Sequence, residues 1–390
     1  MTFHVAVPAD LRIGGGSLSQ LPDVLRLRNA ERPLIVTDAF LTSTGTAARV
    51  VALLEDAGLH PALFSGVVPD PTTVSLEDGL AAVTSHRADV LVGLGGGSPI
   101  DTAKALAVLA VRGGPLRDLK APFSYDGPAL PVVAIPTTAG TGSEATRFTV
   151  ITDSDTGEKM LCAGPSYLPV AGIVDYELTM SMPPRLTADT GIDALTHAVE
   201  AYVSSRHNAF SDAVALRAIT IIGRSLRTAY RDGADDHARA EMMEAATLAG
   251  IAFSNSSVAL VHGMSRPLGA HFHISHGMSN AMLFAAVTEF SLSAADDRYA
   301  DCARALGVAD DSVADADAAA ALVRELRALA DELAVPTPER FGIARDDWEA
   351  LVPTMAEQAL ASGSPGNNPR VPAASDIEDL YRAIFRGDAR

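Results

Sequence analysis

Four side chains in this sequence have the types and spacing that hold a metal ion: Asp193, His197, His262 and His276. Asp193 and His197 lie four residues apart in TADTGIDALTHAVEAYVSS, where Ala194, Leu195, Ala198, Val199 and Ala201 read as helix. That spacing is about one helical turn, so a carboxylate and an imidazole share one face. His262 opens HGMSRPLGA and His276 opens HGMSN. One Asp and three His make a mixed oxygen and nitrogen site for a divalent first-row ion, with imidazoles suiting iron, zinc, copper or nickel. A lone histidine is ordinarily a core or surface residue, and His271 and His273 in GAHFHIS read that way first. Four matching residues on separate segments are harder to obtain by chance.

Three further stretches have the chemistry of a nucleotide site. GLGGGSPIDTAK places Gly95, Gly96, Gly97 and Ser98 between a short apolar run, Val90 to Gly93, and a helical pattern from Pro99 to Val111. Glycines let a backbone approach a ligand closely, and a helix N-terminus offers unpaired N–H groups to an anion, so a pyrophosphate site is expected. The motif is neither GxGxxG nor a P-loop. Asp38 follows the apolar run PLIVT. A carboxylate there either caps a turn or helix, or hydrogen-bonds a ribose diol and repels a 2′-phosphate, which favours NAD over NADP. In PTTAGTGSE, Thr137, Thr138 and Thr141 are placed to line a nucleotide pocket or to satisfy one another locally.

The elements that must position these residues fall into two groups. Up to about residue 180, short apolar runs alternate with helical patterns, which predicts an α/β domain with a largely parallel sheet. Helices are expected over 18–27, 46–57, 74–86 and 99–111. Strands are expected over 33–37, 61–65, 90–93, 132–135, 148–152 and 170–174. After Pro183-Pro184 the pattern is helical throughout, so the domains are placed at 1–184 and 185–390. The Ala- and Asp-rich stretch 309–321 reads as a loop feeding a surface helix.

Composition bounds the function. A chain of 390 residues with 48 % hydrophobic residues supports two cores. A net charge of −18 argues against nucleic acid, whose phosphates need clustered Lys and Arg. Cys162 and Cys302 are too few for a disulfide framework and fit a reducing compartment. The first residues, MTFHVAVPAD, lack a signal-peptide pattern. No apolar run approaches the roughly 18 residues of a membrane span. A cytoplasmic enzyme, a homodimer with no membrane partner, is the expectation.

GGGSPIDTAK, PTTAGTGSE, GIDALTHAVEAY and HGMSRPLGAHFHISHGMSN, in this order, resemble the iron-containing (group III) alcohol dehydrogenases. The resemblance runs nearly the whole chain, to Asn368-Pro369-Arg370. It implies a dehydroquinate synthase-like architecture: an N-terminal α/β nucleotide-binding domain and an all-α metal-binding domain. It also implies NAD as cofactor and Fe²⁺ at the metal site, with Zn²⁺ in some relatives. The ligands would be Asp193, His197, His262 and His276. The cofactor residues would be Asp38, Gly96, Gly97, Ser98, Thr137, Thr138, Thr141 and Lys159. The reaction implied is reversible hydride transfer between the nicotinamide and a small primary alcohol or aldehyde.

One position departs from the family pattern. Many members have a histidine four residues after the third ligand, and this chain has Arg266. Arginine does not relay protons at neutral pH, so that role would pass to His271, His273 or solvent. Arg266 itself would serve either as a structural cation or as a bidentate clamp on an anionic substrate group. Two other readings stay open: a polyol oxidoreductase or lyase of the same superfamily, and a nucleotide-binding protein without catalysis.

Overall fold

The computed structural model describes residues 2–387. Its described residues form two compact units, one of residues Ala6–Ser181, the other of residues 182–387 with residues 2–5.

The first unit is built on a six-stranded parallel sheet. Its strands are β1 (Asp10–Ile13), β2 (Pro33–Asp38), β3 (Ala62–Val67), β4 (Val90–Gly95), β5 (Val132–Pro136) and β8 (Ala171–Val174). Their order is β1-β8-β5-β4-β2-β3, and β6 (Phe148–Thr152) pairs antiparallel with β7 (Lys159–Ala163) in a separate two-stranded sheet. Alternate residues of the central strands feed two cores, as the pleat requires. Leu34, Val36 and Leu91 pack on one face with Ala103 and Leu106. Ile35, Val90, Val92 and Leu94 pack on the other with Leu21, Val50 and Leu54. Each buried Val, Leu or Ile among them stabilises the fold by about 1.5–3 kcal/mol relative to exposure.

The order creates a switch point. From β2 the chain crosses to β3 on one side, whereas from β4 it crosses to β5 on the other. A crevice therefore opens beyond the carboxyl ends of β2 and β4, where open α/β sheets bind ligands. Asp38 ends β2 and Gly95 ends β4.

Most expected elements are present, with shifted ends. Residues 18–27 are a 3₁₀ turn, Ser17–Gln20, followed by a short helix, Leu21–Arg26, because Pro22 fits only the first helical turn. Two strands escaped the sequence reading. β1 lies at a sheet edge and has little apolar alternation, and β7 is a half-buried hairpin arm around Leu161 and Cys162. The Ala- and Asp-rich stretch becomes helical from Asp315, within the helix Asp315–Glu332.

The second unit is helical. The helix Pro184–Val203 packs against those of Ala209–Arg231, Asp236–Ser254 and His276–Ser291. From Thr187 to Val203 every residue is buried. A helix buried all round must satisfy its polar side chains internally. Thr187, Thr190 and Thr196 donate to the carbonyls of Pro183, Leu186 and Ile192, one turn back. Asp189 pairs with Arg185. Asp193 and His197 approach one another along the helix, Oδ1 to Nδ1 at 3.8 Å, and with Glu200 their i, i+4, i+7 spacing puts them on one face. Among the described residues no helix is long and apolar enough to cross a membrane.

Candidate active site

The three local sources of the cluster are three helices. Asp193 and His197 come from Pro184–Val203, His262 from the first turn of Leu260–Phe272, and His276 from the first position of His276–Ser291. Their ligand atoms all lie within 4.8 Å of one another. Asp193 Oδ1 is 3.6 Å from His262 Nε2, and 3.8 Å from His276 Nε2 and from His197 Nδ1. His197 stacks between Phe253 and His262, with ring centroids 4.3 and 4.4 Å away. Three of the four are buried, while the His276 side chain is 46 % exposed. Gly277 makes this approach feasible: a Cβ there would lie 2.4 Å from the Asp189 carbonyl oxygen. Any larger residue would push His276 away from the Asp193 helix.

The side-chain amide of Asn280 lies at the same focus. Its Nδ2 donates to Asp193 Oδ1 at 2.7 Å and stands 3.2 and 3.3 Å from Nε2 of His262 and His276. Its Oδ1 is buried without a partner among the described residues. The positive end of an amide dipole thus sits where the four donors converge, as expected of a place that draws positive charge. One carboxylate oxygen and three imidazole nitrogens fit a divalent iron or zinc ion.

The electrostatics agree. Burial opposes ionisation of Asp193, but His197, His276 and His262 outweigh it and hold the carboxyl well below the usual range. Burial lowers the pKa of His262, while the carboxylates of Glu200 and Asp193 raise it, and the balance stands at about 9. A cation binding here must displace a proton from His262 at neutral pH.

In the first unit, the glycine turn and the threonine loop face each other. Gly95 has φ +147°, and a Cβ there would lie 2.5 Å from Pro99 Cγ, so the tight turn into the helix Gly97–Arg112 requires glycine. A Cβ on Gly96 would lie 3.5 Å from the Thr138 side chain, and one on Gly97 3.3 Å from that of Thr141. Thr137 N donates to the Gly95 carbonyl at 3.0 Å. Ser98 is half-buried in the first turn of the helix. Asp38 caps the short helix Ala39–Ser43, its Oδ1 accepting from Leu41 N at 2.9 Å. Lys159 pairs with Asp70 at 2.9 Å.

Four groups supporting these regions were not singled out from the sequence. Lys104 is fully buried and donates to Ser143 Oγ (3.0 Å), Thr146 Oγ1 (3.1 Å) and the carbonyls of Thr146 (3.0 Å) and Phe148 (2.9 Å). Ser143 Oγ in turn donates to Asp101 at 2.7 Å. This network pins the end of PTTAGTGSE to the helix after the glycine turn. Burial pulls the Lys104 ammonium down to about 8, against the pull of Asp101 and Glu144. Asp101 and Lys104 lie inside the quoted glycine motif, and their charge in an otherwise apolar helix was the available signal. Glu200 and Asn280 share faces with the ligands, at i+3 from His197 and i+4 from His276.

Of the other expected site residues, Arg266 is half-buried one turn beyond His262. His271 Nε2 is 2.8 Å from Gln358 Oε1. His273 is exposed and ends its helix with φ +55°. Neither histidine belongs to the cluster.

A parallel sheet with a glycine turn at its switch point, followed by a helical unit carrying an Asp–His₃ cluster, defines a nucleotide-dependent metalloenzyme class. The family profiles agree: iron-containing alcohol dehydrogenase matches residues 8–176, and the Fe-containing alcohol dehydrogenase C-terminal domain matches 187–385. The chain belongs to the iron-containing alcohol dehydrogenase family and is an NAD-dependent enzyme of that family. It is 37 % identical to the lactaldehyde reductase of Escherichia coli K12, over 95 % of this chain and 97 % of that protein. The crystal structure of a 1,3-propanediol oxidoreductase superposes with a TM-score of 0.95 at 35 % identity, covering 99 % of this chain and 100 % of that one. The sulfoacetaldehyde reductase of Bifidobacterium kashiwanohense, crystallised with NAD⁺, superposes at 0.88 with 25 % identity and 99 % coverage of both chains.

Proposed function

We propose that this enzyme interconverts a small primary alcohol and its aldehyde with NAD(H), using Fe²⁺ or Zn²⁺ held by Asp193, His197, His262 and His276. The observation that carries the reading is the convergence of these four donor atoms within 4.8 Å. A divalent cation held there supplies a Lewis acid for a carbonyl or hydroxyl oxygen. With one anionic ligand and three neutral imidazoles, the protein leaves about one unit of the ion's positive charge uncancelled, which favours oxygen polarisation. The exposed edge of His276 leaves a path for substrate and solvent.

Gly96, Gly97 and Ser98 offer the start of a helix to the cofactor pyrophosphate, with Thr138 and Thr141 opposite. Asp38 keeps its second carboxylate oxygen for the ribose diol, which favours NAD. Lys159 joins this set only by giving up its bond to Asp70. The domain roles follow: the segment before residue 184 holds the nucleotide and the rest holds the metal. The same reading takes the enzyme as a cytoplasmic homodimer. Its two buried free cysteines fit a reducing compartment, and sedimentation velocity tests the assembly.

Arg266 sharpens the substrate class. It lies on the His262 face one turn along and makes no hydrogen bond or ion pair among the described residues. Burial lowers its pKa and the Glu200 charge partly offsets this, but three other donors already use the Glu200 carboxylate. Arg266 therefore holds an anionic group on the aldehyde, such as a carboxylate or sulfonate, and solvent supplies the proton. His271 is committed to Gln358 and sits about 13 Å further along the helix axis than His262. The test is Arg266→Ala assayed with paired neutral and anionic aldehydes. A fall in kcat/KM of about 10- to 100-fold for the anionic set alone is expected from one lost charge-assisted contact. An equal fall for both sets removes the clamp and leaves a dehydrogenase of neutral aldehydes.

A further inference from the structure

We infer that Glu200 is a positioning residue of the metal centre, fixing the tautomer and aim of His262. The inference rests on the reading of the four-residue cluster as a metal site. Glu200 is 3 % exposed and its carboxylate accepts three hydrogen bonds. Oε2 takes them from Ala259 N at 2.9 Å and His262 Nδ1 at 2.6 Å, and Oε1 takes one from Val261 N at 2.6 Å.

An ionised carboxylate only accepts, so the proton of the neutral imidazole must sit on Nδ1. The Nε2 lone pair is then the one that faces Asp193, His276 and the focus of the cluster. A carboxylate behind a ligand imidazole also raises its basicity, which strengthens its bond to a metal.

The same group starts the helix that carries His262. The residue at the cap position is Ala259, which has no side-chain acceptor, and no side chain of its own segment caps this end. Two of the orphan N–H groups of the first turn are satisfied by Glu200 instead. Glu200 stands on the helix that supplies Asp193 and His197, on the face they share. One buried helix thus sets two ligands directly and a third through this carboxylate, so the ring of His262 cannot turn without breaking a hydrogen bond between two buried side chains.

The test uses the full-length protein stripped of metal and titrated with Co²⁺ against a chromophoric chelator. Wild-type protein, Glu200→Gln and Glu200→Asp are compared. In Glu200→Gln the amide oxygen can still serve Val261 N, but an NH₂ in the place of Oε2 gives up Ala259 N and faces Nδ1, which releases the tautomer. The expected result is a Co²⁺ affinity about 10- to 100-fold weaker. The visible Co²⁺ spectrum should change, and in the metal-free protein at a pH above 9, where the imidazole is neutral, the two-bond ¹H–¹⁵N pattern of His262 should lose its Nδ1–H signature. Glu200→Asp, which keeps the charge but is one methylene shorter, should recover part of the affinity. The thermal midpoint of each metal-free variant reports whether the fold is retained. Wild-type affinity and an unchanged His262 pattern in folded Glu200→Gln overturn the inference. If Glu200→Gln does not fold, Glu200→Asp decides: an affinity and spectrum equal to wild type overturn it, and weaker binding with an altered spectrum upholds it. A wild-type protein that binds no Co²⁺ refutes the metal-centre reading itself, a separate outcome.

Discussion

The glycine turn after β4 and the cluster around Asp193 are made of opposite materials. At the turn, the groups presented to a ligand are backbone N–H and small hydroxyls, and side chains serve mainly to hold the backbone in place. Lys104 does this from beneath, with four hydrogen bonds to the segment that follows the threonine loop. At the cluster, the presented groups are ionisable side chains, and the backbone of three helices serves to aim them. The first kind of site depends on the backbone path and on the buried groups, such as Lys104, that hold it. The second tolerates backbone irregularity, such as Pro267 inside the His262 helix, but not loss of a donor.

This contrast can be broken at its strongest point by Asp193→Ala, which removes the sole carboxylate among the four donors. Metal affinity should fall more than about 100-fold, beyond what changing a supporting residue costs. Alcohol-dependent NADH formation should vanish with it, while NADH binding followed by fluorescence should be unchanged. Retention of one metal per chain by elemental analysis would mean that the carboxylate is dispensable.

Lys104→Met tests the opposite pattern. Breaking a fully buried charge network destabilises by about 3 kcal/mol, read as a lower urea midpoint for the transition of the first unit. NADH should bind more weakly while metal content is unchanged. A parallel loss of metal would erase the distinction between the two regions.

A smaller effect comes from pH. His262 has a pKa of about 9, above its ordinary value, so at neutral pH it carries the proton that a metal must displace. Apparent metal affinity should therefore rise roughly tenfold per pH unit up to about pH 9 and then level off. NADH affinity should instead hold up to about pH 8 and weaken beyond it, where Lys104 loses its proton. The smallest effect belongs to Asp38→Ala. Loss of its helix cap costs about 1 kcal/mol, and the ratio of NADP to NAD turnover should rise as the carboxylate is removed.

The sequence carried the metal ligands in plain view because each had to be a particular residue type, and type is what a sequence records. The i, i+4 spacing of Asp193 and His197 also showed that they share a face. Glu200 follows on the same face but went unread, since a glutamate on a helix is ordinarily a solvated residue. Only packing on all sides of the helix Pro184–Val203 turns it into a buried acceptor. Asn280 was hidden for the same reason.

Fold class was legible through periodicity: buried parallel strands are near-continuous apolar runs, and the switch to a helical pattern after Pro184 is abrupt. β1 and β7 were not, because short edge strands and hairpin arms are half exposed and lose the apolar signal. The sequence by itself determined which chemistry is available: one carboxylate and three imidazoles, and a glycine turn entering a helix. The tertiary structure alone decided that His262 and His276 meet Asp193, that Thr138 and Thr141 face the glycines, and that His271 and His273 stay outside the cluster. Those outcomes depend on distances between residues far apart in the chain, which are set by helix packing and close backbone approach, as at Gly277 against Asp189.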